Sequence, residues 1–342
     1  MPDAPPELTV PLSVLDLAPV SDGSTPRDAL RNSLELARLA ERLGYLRYWL
    51  AEHHNMPGIA SSSPPVLAAH IASVTSTIRV GSGGVMLPNH APLVVAEQFG
   101  MLEALHPGRI DLGIGRAPGT DQNTARALRR SALPMHADEF PQQLGELLGF
   151  FDGRFRPDHP YAGITAVPAL GYRPALWLLG SSDYSAQVAG LLGMPFSFAH
   201  HFSAANTLPA LAAYRSSFQP SDELERPHAM VAVSVLCAPT EEEARYLAGS
   251  GTLAFLRLRQ GRPAPYPSPQ EAAEYQFTPF EKETVKSWTA GHIVGDPEQV
   301  RTQLADLVAR TGADELMVTT MVHGHAERLR SYELLASLVP AS

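Results

Sequence analysis

Short apolar runs alternate with amphipathic stretches along this chain, and the alternation repeats eight times. Residues 12–20 read as a first strand. Thr25-Pro26-Arg27-Asp28 then opens a helix, with Thr25 at the N-cap, proline at the first helical position and Asp28 three residues on. Leu30, Leu34, Ala37 and Leu43 mark its apolar face, and Gly44 closes it. The spacing predicts further strands over 46–52, 78–87 and 110–115, with helices over 63–76 and 92–105 between them. The rhythm resumes with strands over 175–179, 194–199, 228–237 and 315–320. Helices over 183–192, 206–218, 296–312 and 326–338 complete the second half. The strand runs are continuous rather than strictly alternating, as in a parallel sheet with both faces buried. Eight strands, each followed by helical sequence, predict an α/β fold: a (β/α)8 TIM-like barrel with insertions before strand five and after strand seven. An open doubly wound sheet is the alternative, but its glycine fingerprint is missing after strand one.

The whole chain, 1–342, reads as one barrel domain. Residues 152–174 are rich in glycine, proline and aromatics and form an extended insertion. Residues 261–279 carry five prolines and read as a mobile loop or lid, or equally as a plain surface linker.

Composition narrows the function. The 342 residues are 44% hydrophobic and 18% charged, enough for a large core. The net charge is −9 with no lysine or arginine block, which argues against a nucleic-acid partner. The single cysteine, Cys237, excludes a disulfide framework and fits a buried strand position. No run is long and apolar enough for a membrane span, and residues 1–6 lack a signal-peptide pattern, so a cytoplasmic protein is expected.

A barrel places its chemistry at the C-terminal ends of its strands. Strand two ends on Glu52-His53-His54, a carboxylate and two imidazoles suited to proton transfer at neutral pH. The competing explanation is one capping histidine and one packed in the core. Strand three carries Gly81-Ser82-Gly83-Gly84, and Gly83 and Gly84 suggest a flat ligand against the main chain, or a bulge. Arg116 follows strand four and matches an anion. Gly180, Ser181 and Ser182 run into a helix whose free N–H groups offer a phosphate site, or simple N-capping. Together these suggest a flavin mononucleotide enzyme. His200-His201 stands at the end of strand six. His323-Gly324-His325 suggests either metal ligands or a solvated turn.

The segments 49–54, 80–88 and 108–116 (WLAEHH, VGSGGVMLP and GRIDLGIGR) together resemble the bacterial luciferase-like flavin monooxygenase family in order and spacing. The resemblance implies a TIM-like barrel using reduced FMN, supplied by a separate flavin reductase, and O2 to oxygenate a small organic substrate through a flavin peroxide. It implies His53 as the active-site base; in this sequence Glu52 or a backbone carbonyl would fix its tautomer. Arg116, Ser181 and Tyr184 would surround the FMN phosphate. Gly83-Gly84 would form a non-prolyl cis peptide beneath the isoalloxazine. A homodimer through the helices after strands two and three is implied as well. Gly115 and Gly180 replace a cysteine and a glutamate of the light-emitting members, which points to a non-luminous relative. A deazaflavin-dependent dehydrogenase, a non-catalytic flavin binder and a metal-dependent hydrolase using Glu52, His53 and His54 are the alternatives.

Overall fold

The computed structural model describes residues 8–129 and 139–339. In chain order its elements are β1 (Leu12–Asp16), α1 (Pro26–Arg42), β2 (Arg47–Leu50), α2 (Pro64–Val74), β3 (Arg79–Met86), α3 (Pro92–Leu105) and β4 (Ile110–Gly115). Next come α4 (Gln122–Arg129), α5 (Glu139–Asp152), β5 (Ala175–Gly180), α6 (Asp183–Leu191), β6 (Phe196–Ala199), α7 (His200–Ser203) and α8 (Thr207–Ser217). The last third holds β7 (Ala229–Cys237), α9 (Glu241–Arg259), α10 (Pro269–Glu274), α11 (Pro279–Thr289), β8 (Ile293–Gly295), α12 (Pro297–Thr311), β9 (Glu315–Thr319) and α13 (His325–Ala336).

Eight strands close a parallel ring in the order β1-β2-β3-β4-β5-β6-β7-β9, with β9 returning to β1. The expected (β/α)8 barrel is therefore present. A ninth strand, β8, was not foreseen: it pairs only with β7, outside the ring. Three residues give too little periodicity for a sequence pattern to mark. No helix among the described residues is long and apolar enough to cross a membrane.

Side chains of the strands alternate between two cores. Outward positions such as Val14, Tyr48, Leu50 and Val80 pack under the helices. Inward positions Leu15, Trp49, Trp177, Met230 and Met317 fill the barrel. Trp49 and Trp177 meet edge to face with centroids 5.3 Å apart. Cys237 is buried at the end of β7. Helix starts follow their caps: Thr25 makes the expected capping box with Asp28, and Asp296 makes one with Gln299.

Strand β1 stops four residues earlier than the pattern predicts. The Asp16 carboxylate accepts from the Ala18 amide at 2.7 Å, and Ala18 takes a positive φ of 49°. That turn ends the ladder. The chain then runs to Val20 and Asp22, whose backbones bond to Tyr266 at 2.8 Å each. Residues 261–279 are thus tied to the β1 loop through Tyr266, and they contain α10, capped by Ser268.

Asp16 has a second duty. Its carboxylate is fully buried and accepts from Arg328 Nη2 of α13 at 2.6 Å and from the Tyr48 hydroxyl at 2.6 Å. Burial alone raises the Asp16 carboxyl, but the Arg328 charge and these hydrogen bonds outweigh it and hold it below the usual range. Removing one partner of such a pair strands a buried charge, at a cost of about 3–5 kcal/mol. Arg328→Met should therefore lower the urea unfolding free energy by about that much, and adding Asp16→Asn should restore part of it. A loss below about 1 kcal/mol would mean that the carboxylate finds water instead.

Candidate active site

A cavity of about 1050 Å³ opens at the C-terminal end of the barrel. Of the expected site residues, His53, Gly83, Gly84, Arg116, Gly180, Ser181 and Ser182 line it. Glu52 and Tyr184 do not, but each touches a residue or segment that does. The far wall comes from β7, β9, α9 and α11, including Ser234, Thr319, Phe255 and Trp288. Pro263, Ala264 and Tyr266 add the segment after α9.

Period-two alternation continues past the end of β2 and separates the two histidines. His53 faces the cavity, while His54 turns back and donates from Nε2 to Glu52 at 2.9 Å. Glu52 is 1% exposed and also accepts from His90 Nε2 at 2.8 Å and from the Met86 amide at 3.0 Å. Burial raises its carboxyl; the hydrogen bonds from His90, His54 and Met86 outweigh that and hold it below the ordinary range. Of the two partners expected for His53, Glu52 is not the one found. Glu52 instead pins the end of β3 to the loop after β2. The His53 ring is oriented by the alternative partner, a backbone carbonyl: Nδ1 lies 3.4 Å from the Gly119 oxygen. Desolvation pushes the His53 imidazole down in pKa, so it is neutral at pH 7 with Nε2 as the basic atom.

The anion end is built from β4 and the start of α6. The Arg116 guanidinium lies 4.3 Å over the Tyr184 ring and has no ion pair or hydrogen bond among the described residues. Ser182 is the N-cap of α6, yet its hydroxyl does not cap. Free helix N–H groups, an unspent hydroxyl and an unpaired guanidinium fit a phosphate. The donor set thus suits the phosphate of a mononucleotide.

The strand glycines have a nearer reason than a ligand. Gly83 faces into the barrel, where a Cβ would lie 2.7 Å from Leu15 Cδ1 and 3.1 Å from Trp49 Cβ. A Cβ on Gly84 would lie 2.8 Å from the Gly113 oxygen. The β3–β4 register shifts between Gly83 and Val85, a local bulge, and the Gly83-Gly84 peptide is cis. Both residues still present bare backbone to the cavity.

Several site groups carry no sequence signal. Gly119 acts through its carbonyl alone. His90 reaches Glu52 from the turn after β3, and His292 stands just before the short β8. Of the pair His200-His201, only His201 lines the cavity; His200 Nδ1 is 2.7 Å from the Thr207 hydroxyl. His323 and His325 lie elsewhere, bonded to the Asp22 carbonyl and to Glu35. No group of three or more His, Cys, Asp or Glu among the described residues is placed to hold a metal ion.

Burial pushes His201 down to about 4, only partly offset by the bond from Nδ1 to the Ala232 carbonyl at 2.9 Å. Burial likewise pushes His292 down to about 4. Unfolding returns both to the ordinary value of 6.5. Between these limits the unfolded chain binds protons that the folded chain refuses, so the two residues favour unfolding as pH falls. Their contribution should be fully present above pH 6.5, decline towards pH 4 and level off below it. Urea titrations across that range, on the wild type and on His201→Gln/His292→Gln, test this. Equal pH slopes in both proteins would disprove it.

Comparison with known proteins accords with this geometry. A family model described as luciferase-like monooxygenase matches residues 10–315. A luciferase-like monooxygenase of Escherichia coli K12 is 48% identical over 326 residues, covering 95% of this chain and 96% of its own. The crystal structure of apo-MsnO8 superposes with a TM-score of 0.88 at 40% identity, over 96% of this chain and 98% of that one. A more distant structure shares the fold, with a TM-score of 0.70 at 19% identity over 97% and 98% of the two chains. It is the oxygenating constituent of 3,6-diketocamphane monooxygenase from Pseudomonas putida, in complex with FMN. With nearly its whole length matched by the family model and by close relatives, this chain belongs to the luciferase-like monooxygenase family.

Proposed function

We propose that the chain is the oxygenating component of a two-component FMN-dependent monooxygenase. It takes reduced FMN from a separate flavin reductase and uses O2 to oxygenate a small organic substrate. The observation that carries this reading is one cavity joining an unpaired Arg116 and the α6 start to a neutral His53. The bound flavin supplies the two electrons with which O2 is activated, and the protein supplies everything else. Arg116, steadied by Tyr184, and the Ser181-Ser182 backbone hold the phosphate. Gly83 and Gly84 let the ring system lie against the chain. His53 takes or returns a proton at Nε2 while Gly119 keeps Nδ1 protonated, an effect of about 10²–10⁴-fold in rate. The wall of 263–266 excludes water from the reacting atoms.

Two variants separate binding from chemistry. Arg116→Ala should weaken FMN binding by about 1–3 kcal/mol, the worth of a charge-assisted hydrogen bond. His53→Ala should leave FMN affinity and thermal stability near wild type while oxygen transfer falls about a hundredfold or more. Flavin titration and oxygen uptake with FMN reduced by an added reductase provide the readouts. Unchanged FMN affinity in Arg116→Ala, or unchanged turnover in His53→Ala, contradicts the assigned roles. A preference for deazaflavin over FMN in the same titration would assign the barrel to hydride transfer instead.

We also propose that two copies associate through α2 and α3. Leu67 and Ile71 are spent on barrel packing, but Val66 of α2 is 68% exposed, and Met101 and Val94 of α3 are 53% and 45% exposed. The double variant Val66→Asp/Met101→Lys should convert a dimer to a monomer in light scattering. A wild-type monomer would refute this.

A further inference from the structure

The charged side chains that line the cavity are all cationic. The chain as a whole carries −9, yet among the described residues no Asp, Glu or Lys lines the cavity. Its charged and imidazole lining is Arg116, Arg245, Arg259, His53, His201 and His292. Arg116 stands at the α6 end. Arg245 is paired with Glu241 one helical turn away. Arg259 makes no ion pair or hydrogen bond among the described residues. It lies at the end of α9, one turn beyond Phe255. The Phe255 ring stacks on Trp288 of α11, with centroids 4.1 Å apart and planes 4° from parallel. Trp288 in turn meets His292 edge-on at 4.3 Å.

Two polar groups of this wall are also unsatisfied. Thr319 Oγ1 and His292 Nε2 are buried and have no hydrogen-bond partner among the described residues. Thr319 is 4% exposed and pairs in register with Ser234 of β7, which lines the same wall. In the ring order, β7 stands opposite β3, so this wall faces Gly83-Gly84 across the cavity. Buried polar atoms left bare are costly, and a cavity that leaves two of them is shaped for a ligand with polar atoms of its own. A cationic group entering this lobe meets only like or neutral charge. An anionic group meets an arginine with no partner among the described residues, while the nearby Glu241 carboxylate is spent on Arg245.

We propose that this lobe binds the oxygenation substrate, and that the substrate is a small organic monoanion. Its carboxylate or sulfonate pairs with Arg259, and its apolar or aromatic body lies along Trp288. The identification of the ligand as substrate rests on the monooxygenase reading; the binding preference does not.

The full chain, with and without FMN, is titrated with four probes while tryptophan fluorescence is followed. They are (benzylthio)acetate, phenylmethanesulfonate, the methyl ester of the first, and 2-(benzylthio)ethylammonium. At least one anion should bind tenfold or more tightly than the ester and the ammonium. The better of the two anions identifies the headgroup. Arg259 is exposed, so its replacement leaves the core intact. Arg259→Gln should reduce the preference to under threefold, and Arg259→Glu should turn it towards the ammonium. FMN affinity should change less than twofold in both variants. Equal binding of anion and ester by the wild type overturns the proposal, as does a preference that survives in Arg259→Gln. A parallel loss of FMN affinity would assign Arg259 to the cofactor and overturn it as well. Failure of FMN to bind the wild type, with anion preference intact, would sink the flavin reading while leaving the anion site standing.

Discussion

The barrel depends on how its floor is closed. Asp111 of β4, 0% exposed, accepts from Arg47 Nη1 at 2.8 Å, from Arg79 Nη2 at 2.6 Å and from Trp49 Nε1 at 2.9 Å. Arg47 also reaches Glu315 of β9 at 3.1 Å, and Glu315 accepts from Ser13 of β1. Five adjacent strands are thus tied at their N-terminal ends by charges that satisfy one another. Buried ions contribute little net stability, but unpaired they are expensive, so the network penalises any other strand order or register. It seals one end of the barrel, which leaves the cavity its opening at the other. The Trp49 indole held by Asp111 is also what Gly83 makes room for. The same constraint therefore reaches from the floor to the strand that carries the cis peptide.

The cavity is mostly apolar, with arginine and imidazole groups but, among the described residues, no carboxylate in its lining. Its imidazoles are kept neutral by desolvation, and the Glu52 carboxylate next to His53 in the chain is spent on His90, His54 and the Met86 amide. A basic nitrogen at His53 is thus available because burial outweighs the opposing pull of the neighbouring Glu52 charge. Water exclusion and pKa lowering are one effect here, since the walls that dry the site are those that remove the imidazolium's solvation.

Much of this was legible in the sequence, because the signals were local. Thr25-Pro26-Arg27-Asp28 and Asp296-Pro297 carry their own helix starts. Residues 46–52 declare a strand, and parallel strands with helices between them have few closed arrangements. Strand order alone brings His53, Arg116 and Ser181-Ser182 to the lining of one cavity. The roles that failed or went unseen depend on distance in space. Glu52 adjoins His53 in sequence, yet alternation sends its carboxylate to His90, 38 residues on.

The sequence by itself determined the barrel, the family and the set of side chains at its mouth, since periodicity, capping and strand-end position are properties of neighbouring residues. Only the tertiary structure decided which of those side chains share a cavity and which atoms are left without partners. The Gly119 carbonyl, the bare Thr319 hydroxyl and the free Arg259 guanidinium acquire meaning from what packs against them. Those neighbours are distant in the chain, and no local pattern encodes them.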